Sequence, residues 1–127
     1  MDFSFLPVDN ITMKEKRFEG RCLCAQMVQV SFADSTEIGA TLRTVEAVLE
    51  DISELGGCVQ VDEPIPLGAP MTLAIGESEF MGHVCYCVFR DYGYFVGIRF
   101  LDDRIWTREQ VVPQHLIDLK TLARLAS

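Results

Sequence analysis

The chain has no apolar run long enough to span a membrane, which makes a helical membrane anchor unexpected. Its start, Met1-Asp2-Phe3-Ser4-Phe5-Leu6-Pro7, lacks the basic residues and apolar core of a secretory signal. Basic residues are few: 11 Lys and Arg stand against 19 Asp and Glu, a net charge of -8. That balance argues against general nucleic-acid or anionic-membrane binding, both of which need a basic surface. There is no glycine-rich phosphate loop, no nucleophile elbow and no pair of catalytic carboxylates, so an enzyme is not expected. There are only two histidines. His115 has no Ser, Cys or Asp partner at a recognisable spacing, which favours a surface or capping role over catalysis. An odd count of five cysteines without a secretory start points to free thiols in a reducing, cytoplasmic setting.

What is present describes one domain. At 127 residues, 49% of them apolar, the chain is long enough for a real core and leaves room for an apolar homodimer interface. Residues 1–13 read as an arm in which Phe3, Phe5 and Leu6 can dock on the domain. Residues 14–102 read as a barrel, and residues 103–127 as a helical tail. Six short strands are expected. The first runs from Met27 through Val28 and Val30 into Phe32, and Ala33 to Thr41 follows as a polar connection. The second, with Val45, Ala47 and Leu49, enters a central turn, and Cys58–Val61 leaves it.

The fourth strand covers Met71 to Ile75, and Gly76-Glu77-Ser78 is a hairpin turn. The fifth covers Phe80 to Val88, with Val84, Tyr86 and Val88 on one face and His83, Cys85 and Cys87 on the other. After Asp91-Tyr92-Gly93, Val96, Ile98 and Phe100 of the sixth strand face inward. Short strands at this spacing, without helices between them, predict a mainly β fold, a six-stranded antiparallel barrel. In the tail, Thr107-x-x-Gln110 resembles a capping box. Pro113 suits a helix start, and the spacing of Leu116, Leu119, Leu122 and Ala123 predicts a helix over 113–125. Trp106 reads as a plug between barrel and tail.

Two stretches carry chemistry. Arg17-x-x-x-Arg21 lies in the densest basic cluster of the chain, Lys14–Arg21. Guanidinium forks bind phosphate bidentately and also read the O6/N7 edge of guanine. The central turn, Asp51-x-Ser53-x-x-Gly56, supplies a carboxylate that accepts from guanine N1–H and N2–H, with a hydroxyl beside it. Read alone, the turn is an ordinary strand–turn–strand corner. Together the two stretches suggest a guanine nucleotide carrying phosphates. Arg99 points outward from the last strand, where a cross-strand ion pair is the ordinary expectation and contact with a phosphate the functional one. Cys22-x-Cys24 and His83-x-Cys85-x-Cys87 have same-face spacing, but structural zinc sites use wider loop spacing. Small packing residues are the preferred reading, with no metal.

Arg17-x-x-x-Arg21 followed by Asp51-x-Ser53-x-x-Gly56 resembles the two-part signature of the PilZ domain, a bacterial six-stranded barrel that binds cyclic di-GMP. Gly68 and Met71-Thr72-Leu73 resemble the fourth strand of that family, and Gly97-Ile98-Arg99-Phe100 its closing strand. The resemblance covers roughly residues 14–102. It implies that Arg17 and Arg21 grip phosphates and guanine edges from a loop that wraps the ligand. It implies that Asp51 accepts from a guanine with Ser53 beside it, and that Gly56 keeps the turn flat. Lys16 holds the position that influences whether one or two nucleotides bind. The function implied is a stand-alone receptor that changes conformation on binding the second messenger and relays it to a protein partner. The second reading is a barrel of the same kind that binds no nucleotide and serves as an interaction module. Glu19 between the arginines and the acidic balance favour it.

Overall fold

The computed structural model describes residues 21–36, 39–101 and 105–118. The N-terminal arm, Lys16 and Arg17 lie outside the described residues, as do the last residues of the tail.

Among the described residues, seven antiparallel strands form one sheet: β1 (Cys22–Thr36), β2 (Gly39–Ser53), β3 (Gly56–Val61), β4 (Pro70–Ile75), β5 (Ser78–Arg90), β6 (Gly93–Phe100) and β7 (Ile117–Asp118). Their order is β2-β3-β6-β5-β4-β1-β7, and an additional β1–β2 pairing closes the first six into a barrel. Closure pairs strands that would otherwise be edges. Inward positions alternate along each strand, because successive side chains point to opposite faces. Val30, Leu49, Val59, Leu73, Ile75 and Val96 are wholly buried. Each such aliphatic side chain contributes roughly 1.5–3 kcal/mol relative to exposure. Val96, Ile98 and Phe100 face the core as their alternation implies. The β4–β5 turn places Gly76 at φ 60, a conformation that suits glycine in a two-residue hairpin turn.

Three expectations are corrected. The strands are not all short, and Ala33–Thr41 is not a polar connection. β1 and β2 each run 15 residues, and their ladder continues from Ala33↔Leu42 to Thr36↔Gly39. Backbone pairing carries this hairpin outward without an apolar pattern to announce it.

The second correction concerns the faces of β5. A register shift between Val84 and Tyr86 inserts Cys85 as an extra residue against β6. Such a bulge reverses the alternation beyond it. Cys87 packs against the core, whereas Val88 is exposed.

The third concerns the tail. Residues 113–118 are not helical; His115 sits at φ 60, and Ile117 and Asp118 pair with Leu23 and Cys22. β4 meets β1 only over Gln29–Phe32, so the start of β1 has a free edge for this short strand to take. A bulge near Cys24 also frees backbone groups, and the Ala25 N–H donates to the Gln114 carbonyl at 3.0 Å. The remainder of the expected helix lies outside the described residues. The short turn before it is present: the Gln110 side chain accepts from the Thr107 N–H at 2.7 Å. Trp106 is buried as a plug; its Nε1 donates to the Val111 carbonyl at 2.9 Å, and its backbone N–H to Glu54 at 3.1 Å. Among the described residues, no helix is long and apolar enough to cross a membrane.

Candidate functional site

The β2–β3 hairpin builds the site. Ser53 pairs with Gly56 across the two-residue turn Glu54-Leu55. The Ser53 Oγ donates to the Gly56 carbonyl at 3.2 Å, which braces the turn and leaves the hydroxyl oxygen able to accept. The turn is also held from the other end of the chain, since the Leu55 carbonyl accepts from the Phe100 N–H at 2.8 Å. A Cβ at Gly56 would lie 2.3 Å from the Ile98 carbonyl oxygen. Glycine here is therefore required for β3 to approach β6, a reason internal to the barrel.

A register shift between Leu49 and Asp51 turns Asp51 to the outer wall while Leu49 and Ile52 stay in the core. Arg21, immediately before β1, reaches across to it. Its Nη2 lies 3.0 Å from Asp51 Oδ2, and both side chains are largely covered. Burial pushes the Asp51 carboxyl above its ordinary range, and the Arg21 guanidinium pulls it part of the way back. The two halves of the motif, 30 residues apart in sequence, thus meet in one ion pair.

The pairing register extends this wall in two rows. One runs Asp51–Cys58–Gly97–Tyr86 over β2, β3, β6 and β5. The other runs Ser53–Gly56–Arg99–His83 over the same strands. Arg99 therefore shares the outer face with Asp51 and Ser53. The expected cross-strand ion pair does not form: among the described residues, Arg99 has no carboxylate within salt-bridge distance. Arg21, Asp51, Ser53, Gly56, Cys85 and Tyr86 line a shallow cleft of about 10 Å³, the space of one water.

Cys58, Tyr86 and Gly97 were not singled out by sequence. The Tyr86 ring covers Gly97, and its hydroxyl lies near enough to Cys58 to influence the thiol. Burial pushes the Cys58 thiol up to about 12, with the Asp51 charge adding to the shift and Tyr86 opposing it. Burial likewise raises the Tyr86 phenol. Both groups are neutral donors at ordinary pH, so the floor beside Asp51 carries no charge of its own. A glycine inside a strand pattern marks close backbone or ring approach, and Gly97 was the one available signal.

The first cysteine pair goes elsewhere. Cys22 and Cys24 turn into the core, where the Cys24 thiol donates to the Leu49 carbonyl at 3.7 Å. Among the described residues, no three His, Cys, Asp or Glu side chains converge to hold a metal.

Compared with protein-family models, curated proteins and solved structures, the chain matches none.

Proposed function

We propose that this protein is a receptor for cyclic di-GMP, a single PilZ-like barrel without catalytic activity that acts in the cytoplasm. The observation that carries this reading is the meeting of Arg21 with Asp51 at 3.0 Å on the outer wall. Ser53, Gly56 and Arg99 share that face through the strand register. The arrangement offers an acceptor for a guanine edge beside guanidinium groups for phosphate. Arg17 and Lys16 stand a few residues ahead of Arg21 in the sequence and would add positive charge to such a clamp. Ligand entry divides the Arg21–Asp51 pair between phosphate and base, and the segment ahead of β1 then orders over the nucleotide. That change of surface is what a protein partner reads, a disorder-to-order type of switch.

A second reading has its own observation. The Arg21 fork already rests on Asp51, and the cleft beside them holds about 10 Å³. A barrel whose clamp is closed on itself serves as an interaction module that takes no nucleotide.

Isothermal titration of the full chain with cyclic di-GMP separates the two. Micromolar binding that is lost in Arg21→Ala and weakened in Asp51→Ala is the expected result, and the titration gives one or two nucleotides per chain directly. No binding at low salt by the folded protein would leave the interaction module as the reading.

A further inference from the structure

A groove of about 330 Å³ opens on the outer wall of β1, β4 and β5, away from the cleft. Its lining is mostly apolar, and Leu42, Met81 and Leu101 on its walls are 74%, 41% and 44% exposed. Exposed apolar side chains scattered singly need no explanation, but three gathered around one groove call for a cover.

The groove lies on the same outer wall as the site, one strand further along. The row Ser53–Gly56–Arg99–His83 continues through Pro70, which pairs with His83, and both Pro70 and His83 line the groove. From the strand of Asp51 to that of His83 is three strand spacings, about 14 Å.

The chain ahead of Arg21 begins on this same wall, because Arg21 is fixed against Asp51. Fourteen residues separate Leu6 from Arg21, a length that extends to roughly 45 Å. The arm therefore reaches the groove with length to spare. Its apolar residues suit that destination. In an extended segment, Phe3 and Phe5 lie on the same side, with Leu6 at their flank and Pro7 ending the run. Aromatic rings gain most from an apolar groove of this kind. A second copy is the poorer occupant, since each chain carries a net charge of -8 and two copies repel.

We infer that the N-terminal arm of this chain covers its own β1–β4–β5 groove, with Phe3 and Phe5 as the anchors. The segment 7–20, which carries the arginine motif, is then tethered at both ends: by Arg21 at the cleft and by the arm at the groove.

The test is a methionine-methyl NMR spectrum of the full chain beside Phe3→Ser/Phe5→Ser. Met81 lines the groove, whereas Met27, 57% exposed, does not. The expected result is that the Met81 methyl shifts in the double variant while Met27 stays in place. On the groove side, Leu42→Ser changes an exposed residue, and it should leave thermal unfolding unchanged while speeding chymotryptic cleavage after Phe5. An unmoved Met81 signal, or an unchanged cleavage rate in folded Leu42→Ser, overturns the inference. A Met81 shift that depends on protein concentration, in a chain that sediments as a dimer, overturns it too by making a second copy the donor of the arm. None of these measurements uses nucleotide, so they stand apart from the receptor reading.

Discussion

The Tyr86 ring lies so close over Gly97 that a Cβ at that position would come within 2.1 Å of Tyr86 Cε2. This contact sets the floor of the outer wall, because it holds the Tyr86 ring beside Cys58, the neighbour of Asp51 across the β2–β3 ladder. Gly97→Ala should displace the ring and cost about 1–3 kcal/mol, as overpacking usually does. In a Tyr86→Ala background the same change should be nearly neutral, since the obstructing atoms are gone. Urea denaturation of the four proteins in this double-mutant cycle measures the coupling; additive costs would show that the ring does not set the requirement for glycine.

The Arg21–Asp51 pair makes stability depend on pH with a definite sign. Burial raises the Asp51 carboxyl above its ordinary 3.8, against the pull of Arg21. A group with a raised folded pKa binds its proton more tightly in the native state. Its contribution is therefore fully present below 3.8 and is lost as pH rises through the folded value. Arg21→Ala removes the opposing pull, so the folded value moves higher and more is lost. The deficit of Arg21→Ala relative to wild type should grow between about pH 4 and about pH 7, towards roughly 1–2 kcal/mol for a pair that is not fully buried. Asp51→Asn should flatten the difference. Unfolding curves across this range check both; a deficit that is constant with pH would contradict the assignment.

Arg99 distinguishes binding from folding. It lies on the outer face opposite Gly56 and His83, without a carboxylate partner among the described residues. Arg99→Ala should leave stability within about 0.5 kcal/mol of wild type, as substitutions on the outer surface away from an ion pair usually do. If the wall receives a nucleotide dianion, the same change should weaken binding about tenfold, near 1.4 kcal/mol. Affinity should also fall as salt is raised, because screening acts on the partly exposed arginines. Calorimetry at two ionic strengths measures both effects, and binding that ignores salt and Arg99 would place the nucleotide elsewhere.

Thiol chemistry should follow burial. Cys24 and Cys58 are pushed to about 12, first by burial and next by the charge of Asp51. At about pH 8 a thiol with that value is ionised in roughly one molecule in ten thousand, and the thiolate is the reactive form. Iodoacetamide should therefore modify the half-buried Cys85 and Cys87 well before Cys24 and Cys58. Asp51→Asn should speed labelling of Cys58 by removing the adjacent charge, and Tyr86→Phe should slow it by removing the hydroxyl that opposes the rise of the thiol. Peptide mass spectrometry over time gives the order of modification, and early labelling of Cys58 in the wild type would contradict its place beneath Tyr86.

Much of the barrel was legible where one face is apolar. Cys58–Val61, Met71–Ile75 and the Val96/Ile98/Phe100 alternation all fell in strands, and Gly76 marked its turn. The stretch Ala33–Thr41 was not legible, because its pairing is carried by backbone groups that any sequence possesses. Cys87 and Val88 exchanged faces because one bulged residue, Cys85, shifts a two-residue period by a full step. β7 was hidden for a related reason: the apolar spacing of the tail speaks for a helix, while the free edge of β1 that captures Ile117 and Asp118 exists only in the folded barrel.

The candidate site divides in the same way. By itself the sequence determined the chemical inventory: an acidic chain with a local basic cluster, and a hairpin in which Ser53 and Gly56 are held together by short-range geometry, with Asp51 two residues before it. Those facts depend on neighbours a few residues away. The tertiary structure alone decided that Arg21 closes on Asp51, that Arg99 shares their face, and that Tyr86 reaches Cys58 over Gly97. Strand order and bulges fix such meetings, since residues far apart in the chain become neighbours only when the register of the closed barrel is set.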